Sequence, residues 1–341
     1  MDNDLRKFTM ESLPEPVVAA LEVRNTWRQA VVASGEGLEF IVAGLEGWAP
    51  GSTVRVAFLG GTAELHRKIA EATAQITDAA NLVLDFGETA EGRFRQWSTD
   101  DTQHAAEIRV SFDLDGFFSL IGTDSTDRFL APAGRLVGGR PDQRSLNLEA
   151  FDVDLPEDWE GTVRHEFLHA LAFKHEHQNP SGPCQDEFRW DDDPGYLPTT
   201  NSRGMFVADA NGLRPGIYTF LAGEPNGWSR AKVDHNLKTK VDPAVTPGDF
   251  DQRSVMLYRF DSLFYKTIPS PCAPLTEGID LSEGDQRGLC LLYPHDPDAV
   301  AEQTDRAQET LDRVGAGQEA GGLPSNPYAD RVVELLKARV G

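Results

Sequence analysis

The sequence predicts an α+β fold: a mixed β-sheet carrying helices, followed by a long loop-dominated stretch. Three observations predict it. Short apolar runs and one amphipathic pattern alternate between residues 48 and 112 in the order strand, helix, strand, strand, an order that suits a mixed sheet with a helix packed on it. Residues 178 to 250 are instead rich in Pro, Gly, Asn and Asp, with single aromatics such as Trp190, Tyr196, Phe206, Tyr218 and Trp228, the composition of loops pinned by isolated large side chains. Finally, 40% of the 341 residues are apolar, enough to bury a sizeable core in one or two domains.

Taken in order, residues 1–47 form a weakly patterned lead-in with no evident core of its own. Residues 53–59 (TVRVAFL) read as a strand between Pro50-Gly51-Ser52 and Gly60-Gly61. Leu65, Ile69, Ala72 and Ile76 then recur at spacings of 4, 3 and 4, one face of a helix. Residues 82–86 (LVLDF) and 107–112 (EIRVSF) are two further strands. A Gly-rich irregular stretch, 116–144, leads to a candidate edge strand at 145–151 (SLNLEAF). Pro156 opens a helix that runs to about Phe173, since its fixed φ suits the first turn. Ser282 with Asp285 three residues on resembles a capping box for a helix through Leu292. Beyond Pro294, helical patterns at 300–314 and 328–340 flank the linker GAGQEAGG.

Charge and cysteine content narrow the function. With 32 Lys+Arg against 55 Asp+Glu the net charge is −23, which repels phosphate backbones and anionic headgroups and argues against nucleic-acid or membrane-surface partners. The longest apolar runs fall far short of the ~18 residues of a spanning helix, so no membrane insertion is expected. The N-terminus carries acids where a signal peptide has basic residues, so a cytoplasmic location or a leaderless export route is expected. Cys290, in the apolar run GLCLLY, reads as a buried thiol. Cys184 and Cys272 each follow a proline in a loop and are able to pair if the compartment is oxidising.

Four of the eight histidines, His165, His169, His175 and His177, fall within thirteen residues, in HEFLHALAFKHEHQNP. His165 and His169 are four apart, so on a helix both rings leave one face and reach a common ion. Glu166 points about 100° away, which suits a base beside the ion better than a ligand. A catalytic zinc takes three protein ligands and keeps one position open for water. His175, six residues beyond His169, stands roughly 240° round a continuous helix and reaches the same ion only if the helix breaks near Ala172.

The run His165-Glu166-x-x-His169-x-x-Ala172-x-x-His175, followed by Glu176, resembles the zinc signature of the metzincin peptidases, in particular astacin-like enzymes and their bacterial relatives. Ser254-Val255-Met256-Leu257-Tyr258 resembles the methionine turn of that clan in its astacin-like form. TVRVAFLGG, EIRVSF with SLIGTD, Trp190-Asp191, GWSRAKVDHN and LSEGDQRGLCLLYP follow the same order of blocks, so the likeness covers 48–294. It implies a metzincin-like catalytic domain at 48–295, between a lead-in at 1–47 that is a candidate short prosegment and a helical C-terminal appendage at 296–341. In such a fold an upper subdomain of twisted mixed sheet and helices holds the zinc helix, a loop-rich lower subdomain holds the methionine turn, and zinc lies in the cleft between. By the same resemblance His165, His169 and His175 bind one catalytic Zn²⁺, Glu166 is general base and then proton donor, Met256 packs beneath the site, and Tyr258 stabilises the oxyanion. The family usually has Gly where this chain has Ala172, because the turn needs φ > 0.

The leading expectation is therefore a zinc endopeptidase acting on protein or peptide substrates, laid extended along the sheet edge placed at 145–151. The alternative, from another class, is a catalytically silent zinc-stabilised binding module, which the intact Glu166 disfavours. His177 reads as a neighbour of the site or a surface residue, and Glu187 as an improbable ligand because it follows the breaker-rich PSGPCQD. No cysteine precedes Cys184, so a cysteine of the lead-in cannot hold the site closed; an acidic residue there is able to, and the sequence does not choose which.

Overall fold

A computed structural model describes residues 10–33, 45–239, 248–319 and 327–341. Helix α1 (Glu15–Ala33) buries Val17, Leu21 and Arg24, a stripe at i, i+4 and i+7. Strand β1 (Thr53–Phe58) is buried at Val54, Val56, Ala57 and Phe58, and helix α2 (Ala63–Ala72) follows, capped by Thr62, whose side chain accepts from the Leu65 N–H. Helix α3 (Ala74–Ala79) continues after Thr73. Strands β2 (Val83–Asp85), β3 (Ile108–Ser111), β4 (Phe117–Ser119) and β5 (Leu146–Leu148) lead to helix α4 (Trp159–Ala170).

The five strands form one mixed sheet in the order β2-β1-β3-β5-β4. β1 is parallel to β2 and β3, β3 is parallel to β5, and β4 alone runs antiparallel, against β5 with Phe118 opposite Asn147. This is the α+β class with a mixed sheet that the strand order implies. One expectation is corrected: the segment at 145–151 supplies β5, an interior strand paired on both sides, and the edge is β4. β4 is only three residues long in a Gly-rich stretch, too short to show an alternation. Central β3 is buried at all four positions, Arg109 included. Its guanidinium donates to the carbonyls of Gln143, Ser125 and Gly138, which compensates a charge taken out of water.

Contacts divide the chain into two compact units. The sheet unit comprises the described residues of Leu13–Phe173 and Ile279–Gly341. The other unit carries three short helices, α5 (Cys184–Glu187), α6 (Ile217–Ala222) and α7 (Arg230–Leu237), and the sheet unit also holds α8 (Glu283–Leu292), α9 (Pro297–Glu319) and α10 (Pro327–Val340). α8 opens with the expected capping box, Ser282 and Asp285 exchanging hydrogen bonds. Cys290, on its outer face, is exposed, contrary to the buried thiol expected: the apolar run continues through Leu291 and Leu292, which are also exposed, and it is Leu289 and Tyr293 that turn inward.

The second unit, described at 10–12, 174–239 and 248–278, has few regular elements among those residues and a core of Phe188, Ile217, Leu221, Val233, Phe264 and Tyr265. The disulfide Cys184–Cys272 lies in that core and ties α5 to a loop 88 residues away, a constraint that limits the unfolded chain. Among the described residues no helix is long and apolar enough to cross a membrane.

Candidate metal centre

The centre is built on α4, whose residues from Val163 through Ala170 are all buried. Arg164 anchors the helix, its Nε donating to the Ala72 carbonyl at 3.0 Å and its Nη1 to that of Ile279 at 2.6 Å. The helix stops where the spacing of the histidines requires. The Phe173 N–H returns to the Leu168 carbonyl and the Ala172 N–H to that of His169, while Ala172 takes φ 74°. That is a Schellman ending with a non-glycine residue in the left-handed position. Carbonyls left over at the helix end are satisfied from afar: the Trp48 indole N–H donates to Ala170 O at 2.9 Å and the Tyr293 hydroxyl to Leu171 O at 2.9 Å. Tyr293 is fully buried, and burial pushes its phenol pKa upward. Neither anchor was singled out from sequence as a support of the metal helix.

On α4 the rings of His165 and His169 stand 4.8 Å apart, nearly perpendicular. Nδ1 of His169 lies 2.8 Å from the Phe173 carbonyl. With Nδ1–H donating there, Nε2 is left with a lone pair for an ion, and the ring is fixed by the same turn that ends the helix. Glu166 is 1% exposed, on the adjoining face.

Past the turn, His175 leads into a short 3₁₀ segment, Glu176–Gln178. The Glu176 N–H donates to the Met256 carbonyl at 2.9 Å, and the Glu176 carboxylate accepts from the Asp251 N–H. The segment carrying His175 is thus tied to the turn at 254–258, where Ser254 Oγ accepts from the Met256 N–H. Met256 is 1% exposed. The Tyr258 ring lies 4.3 Å from that of His175 and 4.8 Å from that of His177, on which it stacks. His177 is wholly buried, its Nε2 2.9 Å from the Asn236 carbonyl, so it belongs to the packing around Tyr258 and not to the surface.

One residue enters the centre from the lead-in. Oε2 of Glu11 lies 3.0 Å from Nε2 of His175 and accepts the Tyr258 hydroxyl at 2.6 Å. Glu11, His165, His169 and His175 each offer one ligand atom, and these atoms all lie within 4.8 Å of one another. Ligands held at ~2.0–2.2 Å around a tetrahedral ion are separated by about 3.3 Å, so three imidazoles and a carboxylate at this spacing fit a divalent transition metal. Glu187, the rival ligand, has other duties: its carboxylate accepts from the hydroxyls of Thr267 and Ser270. The structure therefore gathers His165, His169 and His175 with Glu11, and sets Tyr258 against His175. From sequence, Glu11 was only one of several acids in the lead-in.

No family model matches the chain, and no curated protein matches it. Among solved structures, myroilysin aligns at 25% identity over 74% of this chain and 97% of that one, with a TM-score of 0.49. A second myroilysin crystal structure aligns at 24% identity over 73% and 86%, with a TM-score of 0.44. High choriolytic enzyme 1, a hatching enzyme zinc-protease of the medaka fish Oryzias latipes, aligns at 16% identity over 72% and 94%, with a TM-score of 0.40.

Proposed function

We propose that the chain is a zinc endopeptidase of metzincin type, held latent by its own lead-in. The observation that carries the reading is the convergence of three imidazoles from one eleven-residue motif, 165–175, with an intact glutamate between the first two. His165, His169 and His175 would hold the ion. Zinc, when bound, polarises a scissile carbonyl and lowers the pKa of water in its open position. Glu166 then takes the proton of the attacking water and delivers it to the leaving amine, and burial keeps bulk water from competing for it. The Tyr258 hydroxyl, once released from Glu11, is free to donate to the developing oxyanion. An extended peptide would pair with the outer edge of β4, the last strand of the sheet among the described residues, which takes the place assigned from sequence to 145–151.

With an ion held by the histidines, the Glu11 carboxylate beside His175 would compete with water for the open position, and it also engages Tyr258. Both interactions oppose turnover. The same observation favours a second reading, the silent zinc-stabilised module, because four protein donors are what a closed structural site has. The two differ over Glu166, which a structural site does not need. His165→Ala, His169→Ala and His175→Ala should each reduce bound zinc well below one ion per chain by elemental analysis. Glu166→Gln should keep about one, and in protein freed of its lead-in should lose roughly 10²- to 10⁴-fold of peptide hydrolysis. Full zinc in the histidine variants would overturn the ligand assignment.

A further inference from the structure

We propose that the C-terminal helix α10 is a clasp on the lead-in helix α1, so that the release of Glu11 is controlled from the far end of the chain. The proposal rests on the latent-peptidase reading for its consequence, but its structural content stands on the sheet unit alone.

α1 is held at Val17, Leu21, Arg24 and Trp27. Val17 and Leu21 pack with Phe118 and Leu120 of the sheet edge and with Leu130 and Val137. Arg24, 4% exposed, pairs with Asp124 through both guanidinium nitrogens and lies near Glu46 and Asp127. Asp124 belongs to the 3₁₀ turn Gly122–Thr126. α10 grips that same turn: Arg331 Nη2 donates to the Thr123 carbonyl at 3.0 Å and to Thr126 Oγ1 at 2.6 Å. The two helices also touch. The Trp27 ring lies 5.7 Å from that of Tyr328, and Trp27 packs against a cluster of Leu45, Ala307, Val332 and Leu336 to which both C-terminal helices contribute. Arg339 adds a bond from α10 to the Gly47 carbonyl at 2.6 Å.

The two ends of the chain therefore share one small core and one polar turn. Three residues separate Glu11 from the first residue of α1, so the position of α1 limits how far Glu11 can travel. α1 also covers Phe118, on the strand where substrate would pair. A segment fastened this way stays bound if the chain after it is merely cut; loosening α10 is what sets it free.

The test is amide hydrogen exchange on the full-length chain, read by mass spectrometry, for wild type, Tyr328→Ala, Tyr328→Phe and Arg331→Met. Truncating one partner of an aromatic pair and opening its cluster should speed exchange in peptides covering 17–27 by roughly tenfold in Tyr328→Ala. Arg331→Met should act in the same direction. Exchange in β1, β3 and α4 should stay at the wild-type rate, and Tyr328→Phe, which keeps the ring, should match wild type. Unchanged exchange at 17–27 in both Tyr328→Ala and Arg331→Met would overturn the clasp, as would an equal rise across the whole sheet. Because the readout needs neither metal nor turnover, it stands or falls separately from the peptidase reading. Where that reading also holds, Tyr328→Ala should hydrolyse an unstructured peptide faster than wild type at equal zinc content.

Discussion

Ala172 carries a left-handed φ of 74°, a conformation that costs an L-residue about 1 kcal/mol. Its methyl lies near the 3₁₀ turn at 122–126, where a Cβ built on Gly122 would meet it at 3.2 Å. Ala172→Gly removes the strain and loses that methyl. The melting temperature should therefore stay level or rise, with a gain of at most ~1 kcal/mol. A clear fall with metal retained would mean that the turn depends on the methyl. The ligand motif was legible because its constraints are local, eleven residues within which helix geometry alone demands a break before His175. Glu11 was not, since 164 positions separate it from His175 and an acid in a polar segment leaves no periodic signature. Tyr293 and Trp48 likewise looked like ordinary core aromatics, their hydroxyl and indole bonds to the end of α4 being tertiary events.

At the scale of elements, the packing of α2 on the sheet makes a prediction about pH. His66 on α2 stacks on Phe58 of β1 with ring centroids 4.0 Å apart, and its Nε2 lies 2.8 Å from the Gly60 carbonyl. Burial holds its pKa below the ordinary value. The unfolded chain then binds the proton first as pH falls below about 6.5, so stability is full above that pH and declines beneath it. The melting temperature of wild type should drop between pH 7 and pH 5, and His66→Phe should flatten part of the slope. Equal slopes would show that His66 does not contribute. β1, β3 and α2 were readable because their patterns are clean. α1 was not, because its buried stripe ends in Arg24, and a paired arginine looks polar in sequence however deeply it is buried. β4 is three residues among glycines, and its omission made β5 look like the edge.

Over the whole molecule, the mixed sheet and the histidine motif were legible from sequence, whereas the contacts that fasten α1, α10 and Glu11 were not, because each joins residues about a hundred or more positions apart: Arg24 to Asp124 and Arg331 to Thr123 within the sheet unit, Glu11 to Tyr258 within the second unit. In the proposed reading, the Glu11 contact closes the site, and its removal separates a latent enzyme from a silent module. If Glu11 blocks a competent site whose base is Glu166, the rate of hydrolysis of an unstructured peptide library will distinguish wild type, Glu11→Ala, and Glu11→Ala with Glu166→Gln, each at equal zinc content. Glu11→Ala should be at least about tenfold faster than wild type, since removing a carboxylate that competes for the open position would free it for water. Adding Glu166→Gln should then lower the rate by roughly 10²-fold or more. No hydrolysis by Glu11→Ala, or a rate indifferent to Glu166→Gln, would contradict the latent-peptidase reading and leave the zinc-stabilised module as the better description of the chain.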